Sequence, residues 1–494
     1  MASTKQASSG ILEQKFHISA RNSSLSTEFI SGTAIFMSMI YIIPVSSGMY
    51  AAVGVDPTLA SIAIALVTCI ISILMGLMAN LPIALSTGMG LNAFAVFTIC
   101  MGMGYPYELV MICTLVEGII FLILTLTEVR SKLAEALPHN LKMFIGAGIG
   151  GFLAYIGAQN AHLIVGDAST LTTLVNFRNE FSTQGICALL ALIGLMIIVI
   201  LSVMKVKAAI VIGIFASWIL GMICQAMGIY VPNIEAGYYS LYPSFSLPHI
   251  SSLGGMFLTS SGLSSVDGGV IANIIIITLT MFYSDFFDTI GTCMTCIEKI
   301  KMQMSEEMEA LKAKKFSKGD ANQIEAMEGE LEVLGSQKTT KFALLADAIG
   351  TIIGSLFKCT TITSFVESGA GIESGGRTGL SAIVTGAWFF LAIFFASIFT
   401  SIPGFATGPA LIMVGCSMLI SAMKQVEWKK NELHQIIPGM LCIVFMMLTY
   451  NIANGMAAAI IAYAVVSVFT GHKEEPKPLM YVLAVLLIAK FAFL

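Results

Sequence analysis

Charge is what this chain has least of. Only 11% of its 494 residues are Asp, Glu, Lys or Arg, while 56% are hydrophobic and the mean hydropathy is +0.88. Soluble domains carry about 25% charged residues, so the composition excludes that class and implies a chain that crosses a membrane many times. The formal net charge of −4, with no sustained basic stripe, excludes a nucleic-acid partner. Histidine is scarce as well. Six residues, mostly in loops or termini, offer no metal or nucleophile constellation for a membrane enzyme. The ten cysteines are scattered through apolar runs. Cys293 and Cys296 have no second pair or histidine to complete a zinc set, and they read as small apolar fillers. No metal or organic cofactor is expected. The first apolar run is too long for a signal-peptide core, so residues 1–28 read as an uncleaved cytosolic tail.

What the chain has is apolar runs of bilayer length, roughly 17–25 residues. They lie near 29–50, 58–79, 107–127, 143–163, 184–204, 208–230, 270–297, 378–400, 407–423 and 433–451. Shorter runs at 89–103, 342–357, 367–376 and 454–471 bring the expected count to fourteen; the tail at 479–494 is left open. Arg130, Lys132 and Lys142, then Lys205 and Lys207, then Lys424, Lys429 and Lys430 all fall on one side if the N-terminus is cytosolic. The connection 231–269, without Lys or Arg, falls on the other. This obeys the positive-inside rule. Residues 298–341 form a charged cytosolic insertion, with helices expected over 304–315 and 321–334. It reads as a solvated face whose basic residues can also rest on anionic lipid.

Two stretches put a polar Gly-x-Gly where an apolar helix should continue: Ser86-Thr-Gly-Met-Gly-Leu-Asn92 and Glu367-Ser-Gly-Ala-Gly-Ile-Glu373. A bilayer tolerates broken backbone only where protein buries it or water lines it. Two breaks in corresponding positions of two halves point to a transporter's binding site. An odd number of segments per half makes the second copy enter from the opposite face, an inverted repeat.

Ionisable residues inside membrane segments are functional candidates by default. Asp285 and Asp288, three apart, share a helical face around Phe286 and Phe287, and Asp288 precedes the small residues Thr289-Ile-Gly-Thr292. Asp285 stands between a structural and a proton-handling role. Glu367 opens the second break, where a carboxylate can accept N–H groups from a ligand and, once buried, carry a proton. Phe365 or Phe287 could stack on a ring. Asn92 follows the first break; its amide donates and accepts, so it can read a ring edge mixing N–H and ring nitrogen. Ser86 and Thr87 read as caps of the short helix, and Glu373 and Arg377, four apart, as a local ion pair. For Glu117 a core hydrogen bond and a transport role are both open.

The stretches Asn80-Leu-Pro-Ile-Ala-Leu-Ser-Thr-Gly-Met-Gly-Leu-Asn-Ala-Phe94, Phe286-Phe-Asp-Thr-Ile-Gly-Thr292, Thr363-Ser-Phe-Val-Glu-Ser-Gly-Ala-Gly-Ile372 and Gly375-Gly-Arg-Thr-Gly379 carry a resemblance. From about residue 12 to the C-terminus the chain resembles the AzgA-like adenine/guanine/hypoxanthine permeases of the nucleobase–cation (nucleobase–ascorbate) transporters. The resemblance implies an all-α polytopic membrane protein of fourteen segments in a seven-plus-seven inverted repeat. A core domain (residues 29–141 and 270–400, segments 1–4 and 8–11) would move like an elevator against a gate domain (142–232 and 401–471, segments 5–7 and 12–14). Residues 233–269 connect the halves outside the membrane, and 472–494 form a cytosolic tail.

Short antiparallel strands and half-helices are implied in segments 3 and 10. Asn92, Asp288 and Glu367 are implied as purine-binding side chains, with backbone near Phe365 and Leu85 adding hydrogen bonds. Protons would be coupled through Glu367, Asp288 and Asp285, in a plasma-membrane homodimer joined through the gate. Two departures stand out. The family has Ala-Pro before Gly-Met-Gly where this chain has Ser86-Thr87, which frees an N–H and loosens the entry to the half-helix. The 298–341 insertion is also longer than usual. An anion exchanger of the same architecture is the rival reading; it would prefer a site without buried acids, and Asp288 and Glu367 speak against it.

Overall fold

Proline, glycine and side-chain caps decide where the helices of this chain begin, bend and stop. The structure, a computed structural model, describes residues 11–127, 138–167, 171–178, 181–204, 206, 208–233, 238–243, 268–313, 318–428, 433–449, 452–472 and, beyond these, 480, 481, 484, 485, 487 and 488. Arg130, Lys132, Lys205, Lys207, Lys429 and Lys430, with most of the 233–269 connection and of the 479–494 tail, lie outside the described residues.

A short α1 (Ile11–Phe16) leads into α2 (Leu25–Met39) and α3 (Ile42–Ala51), one apolar span bent in the middle. Pro44 has no N–H for the Ile40 carbonyl, which instead accepts from Ile43 N at 3.2 Å, so the axis shifts at Ile40–Tyr41. Asp56 starts α4 (Pro57–Ala79) by accepting from the N–H groups of Thr58 and Leu59 at 2.8 and 2.9 Å, with proline in the first turn. That helix ends at Asn80, whose φ of 50° turns the chain.

The first half continues through β1 (Leu85–Thr87) and α5 (Met89–Ala93), which runs on as a wider π-helical stretch, Phe94–Gly102. It is completed by α6 (Tyr107–Leu126), α7 (His139–Asn160), a hairpin of β2 (Ile164–Asp167) and β3 (Leu171–Leu174), α8 (Ile186–Val203) and α9 (Ala209–Ala226). The second half holds α10 (Gly268–Ala313), α11 (Lys318–Gly335), α12 (Gln337–Leu356), β4 (Ile362–Ser364) and α13 (Ser368–Glu373). There follow α14 (Gly379–Ala392), α15 (Ala396–Thr400), α16 (Gly404–Lys424), α17 (Leu433–Leu448) and α18 (Ile452–Phe469). Among the described residues, nine helical spans are long and apolar enough to cross a membrane.

The packing is related by exchange of the halves. Helix α4 packs on α14 as α12 packs on α6; α8 packs on α16 as α17 packs on α7; α8 pairs with α9 as α17 pairs with α18. The pairs α4–α12 and α7–α16 map onto themselves. Strands β1 and β4 run antiparallel, so the two copies enter from opposite faces. The fold is an inverted repeat, as the broken segments imply. Helices α2–α6, α10 and α12–α14 pack chiefly among themselves, and α7–α9 and α16–α18 do likewise.

Close crossings hold each group. A Cβ on Gly379 would lie 2.1 Å from the Gly76 carbonyl oxygen, and one on Gly76 would lie 2.4 Å from that of Gly379. The α4 and α14 backbones therefore touch, a small-residue contact suited to lipid, where van der Waals packing drives helix association. Gly150 of α7 and Gly415 of α16 make the equivalent contact in the other group.

Helix α10 does not stop at the membrane edge. Its 46 residues span about 69 Å at 1.5 Å per residue, far beyond a hydrocarbon core of roughly 30 Å. The first helix expected within the insertion is thus the end of α10, and α11 covers the second. These helices clasp the N-terminal segment. Arg21, only 2% exposed, donates from Nε to Glu330 Oε2 at 2.8 Å and from Nη1 to the carbonyls of Asn80 and Arg377 at 2.7 and 2.9 Å. Glu330 also meets His17 Nδ1 at 2.6 Å, and Gln323 donates to the Ser19 carbonyl at 2.7 Å.

Beneath the clasp the buried Glu28 accepts from the backbone N–H groups of Arg377 and Thr378 at 3.0 and 3.3 Å and from the hydroxyls of Ser23 and Ser381. The expected Glu373–Arg377 pair is not formed. Arg377 donates to Glu307 at 2.6 Å, and Glu373 lies 3.4 Å from Lys299. Helix α13 ends at Glu373, and Gly375, at φ 95°, turns the chain away, so the i,i+4 geometry that would join them is absent.

Gly379→Ala is expected to abolish the monodisperse peak in fluorescence-detected size-exclusion chromatography. Gly48→Ala, at a position with nothing within 4 Å, should leave it unchanged. Arg21→Ala leaves Glu330 without its guanidinium and should cost about 3 kcal/mol, read as a lowered thermal midpoint of the purified protein.

Candidate functional site

The two breaks meet. Strand β1 pairs with β4 in the register Leu85↔Ser364, Ser86↔Thr363 and Thr87↔Ile362. The pairing is extended at both ends by Phe365 N to the Ala84 carbonyl (3.0 Å) and Gly88 N to the Thr361 carbonyl (2.9 Å). Every strand residue is buried. Each strand then gives way to a half-helix, α5 after Gly88 and α13 after Glu367.

Beside this pair lies a cavity that takes in about 380 Å³ of space, part of it open to solvent. One wall is polar: Tyr41 from the α2–α3 bend, Asp288 from α10, and Thr363, Ser364 and Glu367 from β4 and the residues after it. Phe365, Val366, Met89 and Gly90 complete that wall. The opposite wall is apolar, with Ile149 and Leu153 from α7 and Val414 and Met418 from α16. The cavity thus lies where the two helix groups meet, with its hydrogen-bonding atoms all on one side. Glu367 is held from that side by the Tyr41 hydroxyl, which donates to Oε1 at 2.5 Å. Asp288 and Thr363 line this wall beside it.

Glu367, Asp288 and Phe365 are therefore brought together on one cavity. Asn92 is not among them. It is fully buried one turn behind, and all four of its hydrogen-bonding positions are taken. Its Oδ1 accepts from the hydroxyls of Tyr50 (2.9 Å) and Thr360; its Nδ2 donates to Ser46 (2.7 Å) and Thr87 (3.2 Å). Leu85 is likewise buried away from the cavity, its N–H bonded to the Ser72 hydroxyl at 3.2 Å. Asp285 lies behind Asp288, fully buried, and shares the Thr289 hydroxyl with Asp347, at 3.1 and 2.9 Å. Phe286 is turned into a stack with Phe282 at 5.9 Å, and the Phe287 side chain lies outside the described residues.

The Ser-Thr lead-in has a different role from capping. Gly88 is the cap of α5 and no side chain bonds to that helix end. Ser86 instead meets the Thr68 hydroxyl at 2.6 Å, tying β1 to α4, and Thr87 belongs to the Asn92 network. Glu117 resolves to a core hydrogen bond: it accepts from Thr361 at 2.7 Å, fixing α6 to the approach of β4. Sequence reasoning missed Tyr41, Ser46, Tyr50 and Thr360. A signal was present, since Tyr41-Ile-Ile-Pro-Val-Ser-Ser-Gly-Met-Tyr50 sets a proline and four hydroxyls inside an apolar run.

Chemically, the cavity can hold a small molecule with N–H donors on one edge and an apolar face. The profile of the Permease family matches residues 26–315 and 327–458. The guanine/hypoxanthine permease PbuG of Bacillus subtilis is 32% identical over 97% of this chain and 99% of its own length. The adenine permease AdeP of Escherichia coli K12 is 30% identical over 99% and 98%. In fold, the transmembrane domain of the cyanobacterial bicarbonate transporter BicA superposes with a TM-score of 0.53 at 14% identity, covering 88% of this chain and 97% of that one. The match runs through both strand-bearing breaks and nearly end to end, and the chain accordingly belongs to the Permease family, as an integral membrane transport protein rather than an enzyme.

Proposed function

We propose that this chain is a proton-coupled purine-base transporter. The observation that carries the proposal is the pairing of two carboxylates, Glu367 and Asp288, on one wall of a cavity whose other wall is apolar. Purine bases are flat, present N–H donors along their edges and offer apolar faces. Glu367 and Asp288 accept base N–H groups, and Phe365 packs against the ring. Asn92 and Leu85 act from behind by holding α5 and β1 in place. The names of the relatives, guanine/hypoxanthine and adenine permeases, support purines over other small solutes.

An anion such as bicarbonate would face two carboxylates without a cation among the cavity's lining residues. The likeness to BicA concerns the fold alone.

In this reading the group containing α4, α10, α12 and α14 is a core that carries the base past the gate built on α7 and α16. Protons pass to Glu367 and Asp288, with Asp285 behind them, and neutralisation of a buried carboxylate permits the core to move. One charge moved through 100 mV supplies roughly 2.3 kcal/mol, which at 1.4 kcal/mol per tenfold sustains accumulation of about fifty-fold. The protein would sit in the plasma membrane with both termini and α11 in the cytosol and with lipid at its rim. The gate would form the homodimer contact.

Radiolabelled hypoxanthine uptake in cells lacking endogenous permeases tests this. Saturable uptake is expected, with competition by adenine or guanine but not uracil, and loss of accumulation when the proton gradient is dissipated. Glu367→Gln should reduce uptake at least 100-fold at normal surface expression; unchanged uptake would remove Glu367 from the site. Asn92→Ala takes the shared acceptor from the Tyr50 and Thr360 hydroxyls, which are left only with each other, and is expected to lower stability by about 1–3 kcal/mol, read by thermal unfolding. A stable Asn92→Ala protein with weakened base binding would instead assign the amide to the ligand.

A further inference from the structure

Tyr41 is buried to 1% exposure at the bend that Pro44 imposes between α2 and α3, and it lines the cavity. Its hydroxyl reaches across to another element, donating to Glu367 Oε1 at 2.5 Å. Nine residues on, Tyr50 of α3 donates in the same way to Asn92 Oδ1 at 2.9 Å. One bent span thus holds the key polar side chain of each break. The two contacts differ in consequence. The Tyr50 bond completes an amide already enclosed by Ser46, Thr87 and Thr360. The Tyr41 bond is made to a carboxylate that faces the cavity.

We propose that Tyr41 is a positioning residue for substrate recognition, an inference that rests on the purine reading above. A glutamate has three rotatable side-chain bonds, and at the edge of a cavity its carboxylate would sample several directions. The Tyr41 donor fixes Oε1 and so aims Oε2 and the remaining lone pair of Oε1 at the ligand. Hydrogen bonds to a charged group are the stronger kind, and preorganising the acceptor spares the ligand the cost of ordering it. The bend is what makes this possible: a straight helix through residues 25–51 would not carry the hydroxyl at position 41 to the same place as the Pro44-shifted axis does.

The test is a double-mutant cycle on hypoxanthine uptake with Tyr41→Phe, Glu367→Asp and the pair, each checked for surface expression. Tyr41→Phe keeps the ring and removes only the hydroxyl. It is expected to raise KM about tenfold while Vmax stays within twofold. In the Glu367→Asp background, where the shortened carboxylate is out of the hydroxyl's reach, the same change should add less than twofold. Equal fold-losses in both backgrounds, or an unchanged KM in Tyr41→Phe, would overturn the assignment. If Glu367→Asp shows no uptake, the Kd for hypoxanthine by titration calorimetry on the four purified proteins completes the cycle, with the same two outcomes. Absence of hypoxanthine uptake and binding by the wild-type chain would overturn the purine reading itself, and this inference with it.

Discussion

A backbone that stops being helical inside a bilayer must find partners for its N–H and C=O groups, since lipid offers none. Here the two interruptions satisfy each other. Residues 85–87 and 362–364 form an antiparallel pair, so each break makes the other tolerable, and neither could exist alone at that depth. The rest of the structure follows from this reciprocity. Antiparallel pairing requires the second copy to enter from the opposite face. It also places the chain that leaves each strand beside the other strand, so that both half-helices and the residues ahead of them converge on one region. The cavity is what remains between that region and the apolar faces of α7 and α16.

Around the strand pair, polar groups are used sparingly and almost always across elements. Ser86 binds Thr68, Ser72 binds Leu85, Glu117 binds Thr361, and Asn92 gathers hydroxyls from three different stretches. The first three fix non-helical backbone to α4 and α6, helices that are themselves held by close glycine contacts at Gly76 and Gly118. At the far end of the same helices, Glu28, Arg21 and Arg377 tie the N-terminal segment, the end of α4, the start of α14 and the charged hairpin of α10 and α11 into one cluster. The helices that bear the carboxylates are thereby bound together at both the strand pair and the clasp. A rigid body with its acids on one face is what a moving core would require.

Much of this was legible in the sequence because it rests on local rules. Long apolar runs, Gly-x-Gly breaks and isolated carboxylates each report a constraint that acts within a few residues, and they led to the repeat and to Asp288 and Glu367 as candidates, whereas the strands were implied by the family resemblance. What was not legible depends on which way a side chain turns. Asn92 looks the same in sequence whether its amide faces a ligand or four protein groups. Arg377 has an acid four residues away but bonds one seventy residues away, because a glycine turn intervenes between Glu373 and Arg377. Tyr41 was hidden by its apolar neighbours, although the nearby proline marked the bend that aims it.

The central claim is that the cavity framed by Glu367 and Asp288 is where the base binds. The most direct measurement is a cryo-electron-microscopy structure determined with hypoxanthine. The account predicts ring density beside Phe365 with N–H edges within 3.2 Å of carboxylate oxygens of Glu367 or Asp288, close to the hydrogen-bonding range for such groups. Density for the base elsewhere, with this cavity closed or filled only by side chains, would contradict it.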